Sequence, residues 1–204
     1  PMQNSTRGIL AGGQDHPASN SQQVIDYITM ASTGNAIDFG DMDTNTRNGS
    51  SACSPTRGII SRGNPSTNVI QYLTMSTLGN MSDFGDTTTA DNAAVGTGSN
   101  AIRGICFTSS YAPNTDDVID YITIASTGNA NDFGDQVTAR AASGVAASPT
   151  RGLFAGGYNP STLSSIEFVQ IATTGNRQNF GDLSTVRSAP AQGMLSNATN
   201  GYFA

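Results

Sequence analysis

The sequence lacks lysine and tryptophan altogether, and it holds only one glutamate, one histidine and two cysteines among 204 residues. Without lysine the chain cannot supply the strand lysine of a protein kinase, although the letters Asp-Phe-Gly occur in it. The net charge is -6, which repels phosphate backbones, so we expect no nucleic-acid partner. No apolar run approaches the ~18 residues of a membrane span, so we expect no membrane partner either.

The shortage of lysine and glutamate also bears on the fold, because both residues favour helices. β-branched and turn-forming residues are plentiful instead, which predicts an all-β chain. Cys53 and Cys106 lie in different repeats and at different phases of the repeat. We interpret them as free packing residues, which leaves the redox compartment open. The first residue, Pro1, suggests a mature product or an excised piece of something longer.

The Asp-Phe-Gly letters belong to a repeated segment. The four copies are "NAIDFGD" at 35–41, "NMSDFGD" at 80–86, "NANDFGD" at 129–135 and "NRQNFGD" at 176–182. A catalytic aspartate is needed once per site, whereas a structural unit recurs with every repeat. Anchored on Arg-Gly pairs about 50 residues apart, the repeats span about 5–53, 54–98, 99–147 and 148–195, and 196–204 reads as the first strand of a fifth.

Each repeat contains four predicted β segments. A hydrophobic strand such as "TRGILAGG" is followed by a variable loop and then by "VIDYITMAS" or its equivalent. That second strand is apolar on both faces, with Ile25 and Tyr27 on one side and Ile28 and Met30 on the other, as expected inside stacked sheets. A glycine-containing turn leads to the "DFGD" strand. The last segment consists mainly of Gly, Ala and Ser, which suits a crowded centre.

This pattern resembles kelch repeats over nearly the whole chain. The matching features are Gly-Gly after the first strand (Gly12-Gly13, Gly156-Gly157), a downstream tyrosine (Tyr27, Tyr72, Tyr121) and an arginine before the innermost strand (Arg47, Arg140, Arg187). The resemblance implies a small β-propeller of four kelch-like, four-stranded repeats, with an open stack of sheets in a repeat array as the alternative. Phenylalanines stand about where kelch repeats carry tryptophan, and the second repeat lacks both the Gly-Gly pair and the arginine.

The combination of "YITIASTGNANDFGD" and "SPTRGLFAGG" is also similar to tandem repeats encoded by bacteriophages. That similarity implies a tail-associated or other virion-associated role, and hence an extracellular or virion location. The similarity implies neither a cofactor nor an enzymatic reaction.

One candidate metal site recurs with the repeat. Asn35, Asp38 and Asp41 could offer hard oxygen ligands to calcium. The competing interpretation is that Asn35 and Asp38 bond backbone amides in the turn while Asp41 pairs with an arginine. Four copies favour the architectural role, so we expect no metal.

A structural ion-pair ring is the second hypothesis. One arginine and one aspartate recur per repeat, and the eight residues are Arg7, Arg57, Arg103, Arg151, Asp41, Asp86, Asp135 and Asp182. We predict that they form ion pairs between strands or blades, and the alternative is a ligand-binding row of arginines. Under the ion-pair hypothesis, replacing Asp135 with alanine lowers stability.

The variable loops at 14–23, 64–68, 109–117 and 158–165 should gather on one face, where loops carry function. Candidate binding residues there are His16, Tyr111, Asn114, Tyr158 and Asn159. The two tyrosines and two asparagines are of the types that stack on sugars and hydrogen-bond to them, and the competing interpretation is plain surface variation.

Three functions follow from these patterns. The first is a non-enzymatic structural and adhesion module of a virion or extracellular fibre, self-associating through chain-end strands because both ends carry the same segment. The second is a discrete propeller that binds a surface glycan or a protein receptor. The third is a hydrolase using Asp116 and Asp117. We favour the first, in which there is no catalytic site and no cofactor.

Overall fold

The computed structural model describes residues 2–91, 97–107, 116–188 and 194–203. These residues form β-strands and connections, and no helix long and apolar enough to cross a membrane occurs among them. The strands are β1 (Met2–Gln3), β2 (Arg7–Gln14), β3 (Ser21–Thr29), β4 (Ile37–Asp41), β5 (Ser50–Cys53), β6 (Arg57–Ser61), β7 (Thr67–Thr74), β8 (Ser82–Asp91), β9 (Gly98–Ser99), β10 (Arg103–Phe107), β11 (Val118–Thr123), β12 (Asn131–Asp135), β13 (Gly144–Ala147), β14 (Arg151–Ala155), β15 (Leu163–Gln170), β16 (Gln178–Arg187), β17 (Met194–Ser196) and β18 (Gly201–Phe203).

Sixteen of these strands form four antiparallel four-stranded sheets, and β17 and β18 form a fifth, two-stranded sheet. Within each full sheet the strands follow chain order, so each sheet is a meander of the kind found in a propeller blade. The first sheet is β1–β4, the second β5–β8, the third β9–β12 and the fourth β13–β16. The fold is therefore all-β and propeller-like, with four complete blades.

The pairing divides the chain differently from the predicted repeat boundaries. The sequence predicts the small-residue segment as the last strand of each repeat, but in the structure it is the first strand of the next sheet. Ser50–Cys53, for example, pairs with Arg57–Ser61 across a tight turn. The connection between them is only three residues long, and a short connection joins antiparallel neighbours. The last residues therefore supply two strands of a fifth sheet rather than one.

The small-residue strands lie at the centre of the array, as predicted. Strands β1, β5, β9, β13 and β17 each contact the next in the series. Side chains such as Ala52 and Ala146 are buried there, and a methyl group added to Gly104 would lie 3.0 Å from the Cβ of Ala52. Small residues are needed because neighbouring backbones approach closely at the axis.

The apolar core consists of three clusters, each between two adjacent sheets. We call the side of a sheet that packs on the next sheet its trailing face and the opposite side its leading face. Ile25 and Tyr27 lie on the trailing face of the first sheet, and Leu73 and Met75 pack against it from the leading face of the second. This explains why the second segment of the repeat, which is the third strand of each sheet, is apolar on both faces: both faces of an internal sheet are buried.

Candidate functional site: the joint between sheets and its two open copies

The "NxxDFGD" segment forms a joint between neighbouring sheets. At the first joint the N–H of Gly79 donates to the carbonyl of Phe39 at 2.8 Å, and the N–H of Met81 donates to the carbonyl of Asp41 at 2.8 Å. The side-chain oxygen of Asn80 accepts the N–H of Asp41 at 3.1 Å. The Gly-Asn turn of one sheet therefore extends the outermost strand of the preceding sheet like a short extra strand.

The same three hydrogen bonds recur at the next two joints. At the second they are Gly128 N to Phe84 O (2.7 Å), Ala130 N to Asp86 O (2.8 Å) and Asp86 N to Asn129 Oδ1 (3.1 Å). At the third they are Gly175 N to Phe133 O (2.7 Å), Arg177 N to Asp135 O (2.9 Å) and Asp135 N to Asn176 Oδ1 (3.1 Å). Because the hydrogen-bond distances are nearly equal in the three copies, we interpret the three joints as one type of contact that recurs with the repeat.

The joint also explains the glycine of "DFGD". Gly40 has a φ of +145°, and a Cβ placed on it would lie 2.5 Å from the backbone of Gly79. Gly134 is in the same situation against Gly175, at 2.6 Å. A side chain here would both strain the backbone and hold the next sheet away.

These contacts show how later copies of the calcium candidates Asn35, Asp38 and Asp41 are used. At the three closed joints the oxygen of Asn80, Asn129 or Asn176 accepts a backbone N–H of the preceding sheet. In the second and third copies the first aspartate accepts one in its own strand, as in Asp132 Oδ1 with Gly134 N at 3.1 Å. The asparagine thus works between sheets and not in its own turn, because the turn projects over the neighbouring strand.

The repeated arginines form a second part of the joint. The guanidinium of Arg103 lies 4.5 Å from the ring centroid of Tyr121, which meets Phe133 edge-to-face. The same Arg–aromatic–Phe stack occurs in all four sheets. In the first three sheets the arginine also donates to a carbonyl of the next sheet; these bonds are Arg7 to Met75 (2.8 Å), Arg57 to Ile124 (3.0 Å) and Arg103 to Ile171 (3.1 Å).

The predicted ring of Arg–Asp ion pairs is therefore wrong in its partners. All four arginines lie over aromatic rings, and Arg7, Arg57 and Arg103 also donate to carbonyls. Among the described residues their ion pairs with Asp41, Asp86, Asp135 and Asp182 are absent. Asp41, Asp86 and Asp135 contribute their backbone N–H and C=O to the joint instead. A backbone partner suits this position, because strand extension uses main-chain groups whatever the side chain.

The ion pairs of the described structure are buried and lie elsewhere. Arg62 pairs with Asp120 of the next sheet at 2.7 Å, and Glu167 pairs with Arg140 and, at 3.5 Å, with Arg177. Sequence reasoning missed these residues. The available signal was the single acidic or amide residue at the middle of each apolar third strand, namely Asp26, Gln71, Asp120 and Glu167.

That polar position ties each sheet to the one before it. Gln71 accepts the N–H of Asp43 at 2.6 Å, and Asp120 accepts the N–H of Thr88 at 3.0 Å. In the fourth sheet, burial lowers the pKa of Arg177 to about 9, with Arg140 adding to the effect and Glu167 opposing it. The Glu167 carboxylate is therefore the counter-charge on which two buried guanidinium groups depend.

Among the described strands, none forms a sheet in front of the leading face of the first sheet. Met30 is 54% exposed, whereas its equivalents Met75 and Ile124 are fully buried. Leu10 and Ile28 are exposed in the same way. Gly34 and Asn35, the turn of this sheet, lack the strand partners that the other three turns have among the described residues.

The trailing face of the fourth sheet carries only the two strands of the fifth sheet among the described residues, so its outer part is open in the complementary sense. Phe180 is 52% exposed, against 2% to 3% for Phe39, Phe84 and Phe133. No described atom lies within 4 Å of a Cβ built on Gly181, and Arg151 has no carbonyl partner of the kind that Arg103 has. The first sheet therefore presents one half of an unformed joint, and the fourth sheet presents the other half.

The loop candidates fall in several places. His16 is exposed, Tyr158 is 37% exposed and pairs with Ala141, and the side-chain amide of Asn159 donates to the carbonyl of Ala139. Tyr111 and Asn114 lie outside the described residues. Asp116 and Asp117 are both exposed. Both cysteines are free thiols, Cys106 buried and Cys53 half-buried.

Two cavities lie away from these loops. One of about 520 Å³ is at the axis, lined by the turns before β2, β6, β10 and β14. There Asn4 donates to the carbonyl of Pro55 at 3.1 Å, and Asn100 donates to that of Pro149 at 3.0 Å. The other, of about 430 Å³, lies between the fourth sheet and the fifth.

No protein-family profile matches the sequence, and no curated protein matches it. Among solved structures, that of YjhT is similar, with a TM-score of 0.72 and 10% sequence identity. The alignment covers 94% of this chain and 73% of YjhT. At this identity the similarity shows the fold alone.

Proposed function

We propose that the chain is a non-enzymatic structural and adhesion module of a virion or extracellular fibre, whose copies join end to end. One observation carries the proposal: the same joint is closed three times inside the chain and left open at both ends. The open leading face offers Met30 and the Gly34-Asn35 turn, and the open trailing face offers Phe180 and Gly181. Faces related in this head-to-tail way generate rings or filaments.

The repeated groups support a structural role rather than a chemical one. The aspartates, asparagines and arginines that recur with the repeat are used at successive joints along the array, so they do not converge on one reacting centre. The exposed apolar side chains are concentrated at the ends, where they would be covered in an assembly. Placement in a virion or fibre rests on the resemblance of the repeat to phage-encoded arrays.

Light scattering over a concentration series, with electron microscopy of the same samples, tests the proposal. We expect mass to increase with concentration and the particles to be filaments or closed rings. Phe180→Asp on the trailing face and Met30→Asp on the leading face should each abolish the increase, because each puts a charge into one half of the contact.

Val137→Asp is the matched control, since Val137 is 60% exposed but belongs to neither open face. It should assemble like the unaltered chain. A chain that stays monomeric at every concentration, or one that assembles equally well with Phe180→Asp, would count against end-to-end assembly.

A further inference from the structure

The two-stranded fifth sheet is docked as a complete sheet would be. A Cβ added to Gly201 would lie 2.9 Å from the Cβ of Ala146, the same close approach that Gly104 makes to Ala52. Ser196 Oγ donates to the carbonyl of Ala147 at 2.9 Å. Arg187 donates to the carbonyl of Phe203 at 3.0 Å. The first two strands of a blade are therefore in place on the fourth sheet.

The next position in that blade is vacant among the described strands. Among the described strands β18 pairs only with β17, so its other edge offers backbone groups for a further strand, although the Phe203 carbonyl already accepts a hydrogen bond from Arg187. Beside this edge lies the cavity of about 430 Å³, whose walls include Arg151, Leu153 and Phe180 of the fourth sheet and Gly201 of the fifth. The backbone edge of β18, a cationic side chain and an apolar surface therefore lie together at this site.

The chain shows three times what fills the equivalent position. In each internal joint it is a strand of the β7, β11 or β15 type, the Gly-Asn turn after it, and the returning strand. The strand supplies the carbonyl that binds the arginine, as Ile171 does for Arg103 at 3.1 Å. The turn supplies the N–H that binds the phenylalanine carbonyl, as Gly175 does for Phe133 at 2.7 Å.

We infer that the β18 edge and the open trailing face together form a docking site for a strand–turn–strand hairpin of the repeat's own type. The hairpin places an apolar residue and its carbonyl at Arg151, and a Gly-Asn turn over Phe180 and Gly181. Binding is then β-strand addition, in which main-chain bonds give affinity and the Gly-Asn turn gives specificity. The inference deepens the proposed function and rests on it for the structural role of the joint.

The probe is a fluorescein-labelled peptide with the sequence of residues 117–135, "DVIDYITIASTGNANDFGD", added to the full chain. Anisotropy should show saturable binding with one peptide per chain. Hydrogen exchange should slow at the amides of Gly201–Phe203 and of Asp182 when the peptide is bound. A scrambled peptide should not bind, and Asn129→Ala in the peptide should weaken binding several-fold through loss of one hydrogen bond.

Variants of the chain locate the site. Arg151→Ala and Phe180→Ser should each weaken peptide binding roughly tenfold, because one loses a charged donor and the other the apolar floor. Leu10→Ser on the opposite open face is the matched control and should bind unchanged. Circular dichroism would verify that each variant retains its β-structure.

The outcomes separate this inference from the proposed function. If the chain assembles but the peptide fails to bind and to compete with assembly, the hairpin site is wrong and end-to-end assembly stands. If the peptide binds and the chain stays monomeric, the hairpin site stands and self-assembly is wrong. Binding that ignores both Arg151→Ala and Phe180→Ser overturns the assigned location.

Discussion

The side-chain oxygen of Asn176 accepts the backbone N–H of Asp135 at 3.1 Å, and these residues belong to adjacent sheets. Asn176 opens one copy of the repeated motif, and Asp135 closes the copy before it. The motif therefore works in pairs of copies: the start of each binds the end of its predecessor. Among the described residues, the start of the first copy, at Asn35, and the end of the last copy, at Asp182, have no such partner.

The glycine at the joint should be the residue of the motif that tolerates substitution least. Gly134→Ala places a methyl group against the backbone of Gly175 at a φ of +141°, whereas Gly181→Ala, at +150°, meets no described atom. Backbone strain of about 1–3 kcal/mol is common to both. We expect Gly134→Ala to cost a further ~1–3 kcal/mol from overpacking. Urea unfolding of the two variants measures the difference, and equal midpoints would mean that the contact adds nothing.

Asp135→Ala is expected to change the free energy of unfolding by less than about 0.5 kcal/mol, because only the backbone of Asp135 takes part in the joint. Asn176→Ala removes the side-chain acceptor and should cost about 1 kcal/mol. Thermal melts of both variants check this order. A large loss of stability in Asp135→Ala would restore the ion-pair hypothesis.

Arg103 is followed by a complete sheet, whereas Arg151 is followed by the two strands of the fifth sheet. Each lies over an aromatic ring, but only Arg103 reaches a carbonyl of the following sheet. We expect Arg103→Ala to be more destabilising than Arg151→Ala by about 1–2 kcal/mol. Chemical denaturation is the measurement, and Arg151→Ala serves as the control for loss of the cation–π contact.

Glu167→Gln should be strongly destabilising, by about 3–5 kcal/mol, because it leaves the buried guanidinium groups of Arg140 and Arg177 without their counter-charge. Glutamine is not excluded by shape, since Gln71 occupies the equivalent place in the second sheet. Asp117→Asn, at an exposed carboxylate, is the control and should be neutral. A neutral Glu167→Gln would show that water or other groups solvate the arginines.

The two thiols should differ in reactivity. Burial raises the pKa of the Cys106 thiol, with nearby Arg62 opposing the change, and the side chain is enclosed. Since the thiolate is the reactive form, a disulfide reagent at pH 8 should modify Cys53 first and Cys106 only after unfolding. Cys53→Ser should then leave the folded chain nearly unreactive. Equal rates for both thiols would show that the third sheet, which contains Cys106, opens readily.

The sequence predicts the fold more completely than it predicts the candidate site. The apolar residues Ile25, Tyr27, Ile28 and Met30 predict a strand buried on both faces, and the tandem repeat predicts stacked sheets. It could not say that the small-residue strand pairs forward rather than backward. Both arrangements satisfy the same local pattern, and only the length of the connecting turn separates them.

The predicted partners of the repeated charges failed for a related reason. Because residues equivalent to Arg103 and Asp135 occur in every repeat, the sequence indicates that they have a structural role in every sheet. The spacing within one repeat does not indicate which atoms contact each other between repeats. The buried pair of Arg62 and Asp120 was hidden in the same way, because its members are 58 residues apart in sequence and belong to different repeats.

What the sequence determined by itself was local: strands, their two-sided apolar faces, and a unit that recurs, since side-chain alternation and turn chemistry act over a few residues. What the tertiary structure decided was which copy touches which, and so which face of the first and fourth sheets stays open. The physical reason is that the joint is made of backbone bonds between segments about 40 residues apart, which any sequence of suitable shape can form and only the packed sheets bring together.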